Sequence, residues 1–215
     1  MAAGLVQVRM SMICARLAVV SAVWKTLRAL RALPLVLTAA ALLLSAAGAG
    51  DAAAQATAQA AEHEVKAAFL YKFISYIEWP PRSFAREDSP LVIGVVDAPA
   101  LADELTSIVA GRNVNGRSLI VRRVERAEAA AGVQVLFVGR ATGARTAALL
   151  AGARGHAMLT VTESDETFPA GSVINFVRVD GKVRFDVDAR LAESENIKVS
   201  ARLLSVARKV VTSPS

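Results

Sequence analysis

Side chains able to do chemistry are scarce in this 215-residue chain, which has two histidines, His63 and His156, and one cysteine, Cys14. His63 lies in the run Glu62-His63-Glu64, and His156 follows a loop glycine where a strand begins. Neither a G-x-S-x-G elbow nor an H-E-x-x-H pair occurs, so no nucleophilic serine turn and no helical zinc site is signalled. Two loops hold what remains. Gly139 to Thr146 (GRATGART) sets Arg140 and Arg145 at the start of a helical run, a place that attracts anions. It is not a P-loop, because Ala144 follows the second glycine where that motif needs lysine. Thr160 to Gly171 (TVTESDETFPAG) is acidic, with Glu163, Asp165 and Glu166, but lacks the ligand spacing of a calcium loop. Its one aromatic, Phe168, either tucks beneath the loop or stands as an anchor for a partner. Asp97 joins Arg140 and Arg145 as a third candidate for a ligand loop. This inventory points away from an enzyme, and no cofactor or metal is expected.

These loops need a scaffold. Leu91 to Val96 is a short apolar run followed by Asp97-Ala98-Pro99, and Pro99 is placed to open a helix over 100–110. A turn over 111–116, a strand over 118–124 and a short helix over 125–131 come next. Val133 to Val138 reads as a buried strand, 142–152 as a helix, and 156–161 as a further strand. Strands alternating with helices predict a largely parallel sheet covered on both faces. Doubly wound sheets bind ligands beyond the carboxyl ends of their strands, which is where Asp97, Arg140 and Phe168 fall.

Ahead of this pattern, residues 65–80 (VKAAFLYKFISYIEWP) show helical spacing of Val65, Ala68, Phe69, Phe73, Ile74 and Ile77, stopped by Trp79-Pro80-Pro81. A helix so apolar belongs in a core, or shares part of its aromatic surface with a partner. Residues 50–61 (DAAAQATAQAAE) read as a flexible Ala/Gln-rich lead-in whose composition also tolerates helix. Residues 1–49 hold five basic residues and no acidic one, then an apolar run from Leu33 to Ala47 and the small-residue exit Ala47-Gly48-Ala49. That is the pattern of a secretory signal peptide, with a start at Met10 or Met12 also open. A retained membrane anchor is the competing reading, disfavoured by Pro34 and the short span.

Setting the leader aside changes the charge argument. The chain has 25 basic and 19 acidic residues, and removing the five leader cations leaves 20 against 19. The one local cluster, Arg117, Arg122, Arg123 and Arg126, is interrupted by Glu125. A nucleic-acid partner is therefore not expected. Because Cys14 lies in the leader, the remainder can form neither a disulfide nor a thiolate site.

The chain closes with a hairpin and two helices. Residues 173–179 and 182–187 alternate around Asp180-Gly181, a dipeptide suited to a type I′ turn. Val183, Phe185 and Val187 should face the core, with Arg184, Asp186 and Asp188 on a wet face. Asp188 or Asp186 is placed to cap a helix running to Asn196, and Ser200 to cap a last helix over 201–211. The whole is an α/β domain over 62–212: three-layer α/β/α, with a mostly parallel mixed sheet and a C-terminal β-hairpin followed by helices.

Three stretches in this order resemble the YfiR-like family of exported bacterial proteins: 65–80, then Gly171 with Ile174 and Asp180-Gly181 with Arg184-Phe185, then K-V-S-x-x-L-L-x-x-A-R from Lys198 to Arg208. The resemblance spans Glu64 to Val211. It implies a periplasmic repressor, active as a homodimer, that restrains an inner-membrane diguanylate cyclase through the cyclase's periplasmic domain. Cyclic di-GMP and biofilm formation fall, and an outer-membrane lipoprotein sequesters the repressor. The partner-binding candidates are Trp79, Phe168, Asn175 and Arg184. Redox-responsive members carry a half-cystine where this chain has Val133, so disulfide gating is not expected here. A small-molecule or peptide sensor using the loops at Asp97, Arg140 and Phe168 is the alternative from another class, and an envelope hydrolase lacking a visible motif a third.

Overall fold

A computed structural model describes residues 55–125, 131–140, 143–165 and 168–212. The chain divides into two units, Met1–Thr57 and Ala58–Ser215, and the sheet with its core belongs to the second. The leader, Cys14, Glu166 and most of the helix expected over 125–131 lie outside the described residues.

Helix α1 covers 55–74. Its exposed first turns include residues 55–61, which sequence reading takes as a flexible lead-in; Ala and Gln cost a helix little, so the apolar stretch behind them propagates backwards. The helix ends before Trp79-Pro80-Pro81 is reached. A tight turn at Ser75 and Tyr76 leads into the two-residue strand β1, Ile77–Glu78. Strand β2 (Leu91–Val96), helix α2 (Pro99–Val109), the short β3 (Asn113–Val114) and β4 (Arg117–Arg123) follow. Then come β5 (Val135–Val138), α3 (Gly143–Ala153) and β6 (Leu159–Glu163). The hairpin is β7 (Ile174–Val179) and β8 (Lys182–Asp188), followed by α4 (Ala189–Ser194), β9 (Lys198–Val199), α5 (Ala201–Val206) and β10 (Lys209–Val211).

Eight strands form one sheet in the order β10-β8-β7-β6-β5-β2-β4-β3, and β1 pairs with β9 in a separate antiparallel ribbon. Only β7–β8 and β3–β4 are antiparallel in the large sheet. The expected three-layer α/β/α arrangement with a mostly parallel mixed sheet is what the chain forms. Asp180 and Gly181 take φ of 49° and 71°, and Val179 faces Lys182, as a type I′ turn requires.

Both faces of the sheet are packed. On one, α1, α2, α4 and α5 contribute Leu70, Phe73, Ile74, Leu101, Leu105, Ala192 and Leu203 to the larger core. Phe73 meets Phe185 edge-on at 4.8 Å and stacks on Phe176 at 5.7 Å, and Phe69 and Phe137 extend the group. The aromatic surface of α1 is thus largely core, each ring pair adding about 1 kcal/mol beyond its area. On the other face Leu149 and Ala153 of α3 pack on Val96, Leu136 and Val138.

Two expectations for the C-terminal stretch are corrected. The last helix stops at Val206, and Lys209–Val211 form a parallel edge strand in register with Asp186–Asp188. β-branched Val210 and Val211 favour an extended backbone once a free strand edge is within reach. The far face of β8 is not simply wet either: Asp186 is buried and gripped by Arg208, whose Nε donates to one carboxylate oxygen at 2.8 Å and whose Nη2 donates to the other. Asp188, of the two aspartates considered, caps α4, accepting from the Leu191 N–H at 3.1 Å. Ser200 caps α5 through the Leu203 N–H.

Candidate functional site

The carboxyl ends of the parallel strands come first, since the chain reverses direction there. From β2 it runs outward to β4, then returns to place β5 on the other side of β2. A doubly wound sheet opens its ligand crevice at this reversal. Here the crevice is shut. A Cβ on Gly139 would lie 2.8 Å from the Asp97 carbonyl oxygen, so the two loops touch backbone to backbone. Asp97 holds Arg145 in an ion pair of 3.0 Å. Arg140 turns away and forks onto Glu163 at 2.5 Å and Asp165 at 2.8 Å. All three ligand-loop candidates lie at this end of the sheet, and each is engaged by an opposite charge.

Arg140 belongs to a balanced cluster of three cations and three carboxylates that fastens α1 to the sheet. Lys66, almost fully buried, bonds Glu62 one turn earlier and reaches Glu163 at 2.9 Å. Arg178 spans to Glu62 at 3.4 Å, and its backbone N–H donates to Asp165 at 2.9 Å. Burial acts to raise the Glu62 carboxyl, but the hydrogen bond and charge of Lys66, with Arg178 and Arg140, hold it below its ordinary value. Asp165 is likewise held down, against its burial, by the Arg178 N–H and the Arg140 guanidinium. The bond to Glu163, more than any other contact, raises Arg140. Among the described residues no group of three or more His, Cys, Asp or Glu is placed to hold a metal ion.

Beside this cluster is a cavity of about 260 Å³ lined by Gly139, Gly143, Thr146, Leu150, Ser164 and Pro169, among others. It lies between the first turn of α3 and the loop after β6.

A larger groove, about 780 Å³, occupies the opposite end of the sheet. One wall is Glu78-Trp79-Pro80-Pro81, and the other comes from α4, β9 and Leu204 of α5. Trp79 is set there by its own hydrogen bond: the indole Nε1–H donates to the Gln134 carbonyl, at the start of β5, at 3.3 Å. The Gln134 side chain is buried, its oxygen accepting from the Val92 N–H at 2.9 Å and its nitrogen donating to the Ser83 carbonyl at 2.7 Å. The stretch after Trp79 is pinned again by Arg117, which lies 3.7 Å above the Phe84 ring and donates to the Ser89 carbonyl at 2.7 Å. Two prolines and these anchors give the groove a rigid aromatic wall.

The four partner-binding candidates do not converge. Trp79 is half-buried in the groove wall, and half-buried Phe168 lies beyond the other end of the sheet, in the loop after β6. Arg184 is exposed on β8. Asn175 is buried, accepting from Thr162 at 2.9 Å and donating to the Ser164 carbonyl at 2.9 Å. In this structure Asn175 tethers the acidic loop, and it has no free surface to offer. Sequence reading passes over Gln134, Glu193 and Leu204, because nothing local marks them. Gln134 meets Trp79 directly, 55 positions away at the start of β5, and the β1–β9 ribbon, which joins residues more than a hundred positions apart, brings Glu193 and Leu204 to the same groove.

No curated protein matches the sequence. Among solved structures, a domain from Streptococcus pneumonia determined in complex with L-Trp superposes with a TM-score of 0.43 at 9% identity, over 56% of this chain and 55% of that one. A conserved domain protein from Vibrio cholerae gives a TM-score of 0.43 at 12% identity, over 55% and 54%. The chain thus spans about half the length of each. Among the described residues no helix is long and apolar enough to cross a membrane. The family comparison reaches further: the profile described as YfiR/HmsC-like matches residues 63–208, from the third turn of α1 to the arginine that grips Asp186, and the chain belongs to the YfiR/HmsC-like family.

Proposed function

We propose that this protein is an exported, non-catalytic regulator that works in the periplasm. It binds the periplasmic domain of a membrane-bound diguanylate cyclase and favours the cyclase's less active state, lowering cyclic di-GMP and biofilm formation. The observation that carries this reading is family membership across the whole domain. The closed crevice and the paired charges at Asp97, Arg140 and Arg145 are in keeping with a binding role, since they leave those groups engaged. Regulation of this kind needs only a difference in affinity for two states of the partner, about 1–3 kcal/mol. A homodimer and sequestration by an outer-membrane lipoprotein belong to the same proposal. The experiment is intracellular cyclic di-GMP in the parent strain and in a clean deletion. A rise on deletion, reversed by the full chain but not by one lacking residues 1–49, supports it; no change across several growth conditions overturns it.

One observation favours a second reading, a small-molecule sensor. The cavity of about 260 Å³ sits at the carboxyl ends of β5 and β6, where α/β sheets take ligands. A metabolite that raises the melting temperature of wild-type protein, but not of a Thr146→Trp variant that fills the cavity, would support it.

A further inference from the structure

We infer that the Trp79 groove receives an extended segment of a protein partner in which an apolar side chain neighbours a basic one. This rests on the reading of the protein as a binder and specifies what is bound. The wall is ordered in advance: Trp79 is held by Gln134, and Gln134 by Val92 and Ser83. Little side-chain freedom remains to be lost when a partner arrives. The facing wall offers Ala192, Ile197 and Leu204 as apolar surface, so a residue anchored on the indole leaves water there.

The shape selects a strand. The β1–β9 ribbon beside the groove has two strands only, so each keeps one edge without a strand neighbour among the described residues. An extended peptide satisfies such an edge through its backbone, which a compact small molecule does not. Charge then sets the side chains. Glu78, Glu193 and Lys198 line the groove, and among the described residues none of the three is in an ion pair, whereas Asp97, Glu163, Asp165 and Asp186 all are. The surplus is negative, and it lies beside an aromatic face that itself attracts cations. An apolar residue next to lysine or arginine answers both features.

The test uses the full chain in a Trp24→Phe background, so that Trp79 is its only tryptophan. A blocked heptapeptide alternating lysine with leucine and its glutamate counterpart are titrated while Trp79 emission is followed. The lysine peptide should shift the emission and bind more weakly as salt rises, and the glutamate peptide should do neither. Glu193→Lys should weaken lysine-peptide binding at least tenfold, Lys198→Glu should tighten it, and Glu87→Lys, away from the groove, should leave it unchanged. Equal binding of both peptides, silence of Trp79, or equal losses from Glu87→Lys and Glu193→Lys would overturn the inference. The two failures separate in cells. Unchanged cyclic di-GMP on deletion refutes the cyclase reading whatever the peptides do. A deletion phenotype fully reversed by Glu193→Lys removes the groove as the partner surface and leaves the cyclase reading in place.

Discussion

The Trp79 indole and the Gln134 backbone carbonyl, 55 positions apart in sequence, meet in a hydrogen bond of 3.3 Å. The same glutamine satisfies the Val92 N–H and the Ser83 carbonyl with its side chain. Gln134→Leu strands both groups, at about 1–3 kcal/mol each. We expect urea titrations of this variant to show a loss of about 3 kcal/mol, with Trp79 emission moving to the red as its wall loosens. A variant with wild-type stability would show that water replaces the amide at no cost.

Asp186 and Arg208 give a second prediction. The carboxylate is buried while nearly half of the Arg208 side chain is exposed, so removing Arg208 leaves a buried charge without a partner. Arg208→Met should cost about 3 kcal/mol, at the lower end for broken buried pairs. Adding Asp186→Leu should recover most of it. A double variant as unstable as the single one would mean that Arg208 acts by packing alone.

Acid should act through the α1 cluster. Glu62 and Asp165 are held below their ordinary values of 4.5 and 3.8. A group depressed in the folded state contributes stability above its unfolded pKa and loses it as pH falls through the folded one. Chemical denaturation should therefore show this contribution intact at pH 6 and declining below about pH 4.5. Lys66→Met should be less stable than wild type at neutral pH, and the gap should narrow as pH drops. A gap independent of pH would show that the lysine contributes only its methylenes.

Gly139 tests the closed crevice. Gly139→Ala drives a methyl group to 2.8 Å from the Asp97 carbonyl, whereas Gly143→Ala meets nothing within 4 Å. Overpacking of this kind costs about 2 kcal/mol, so thermal unfolding should separate the two variants by several degrees. Equal melting temperatures would mean that the Asp97 and Gly139 loops are free to part.

The layered α/β architecture was legible in the chain because it is written locally. Continuous apolar runs mark β2 and β5, Asp180-Gly181 marks the hairpin turn, and Asp188 and Ser200 cap the helices after them. The placement of Asp97, Arg140 and Arg145 at one end of the sheet also followed from element order. What they do there did not. A sequence displays Arg140 as a cation, and only the fold brings Glu163 and Asp165 to it. Val210 and Val211 suit a helical stripe as well as a strand, and the free edge of β8 decided between them. Asn175 alternates as a β residue should, yet burial beside Thr162 made it a tether. The Trp79 groove lies furthest from sequence reach, because the β1–β9 ribbon and the Gln134 contacts are long-range and carry no local period. Chain connectivity and short-range pattern determined the layers; charge pairing, edge closure and the groove belong to tertiary packing, where the partner of each group is set by distance and not by sequence separation.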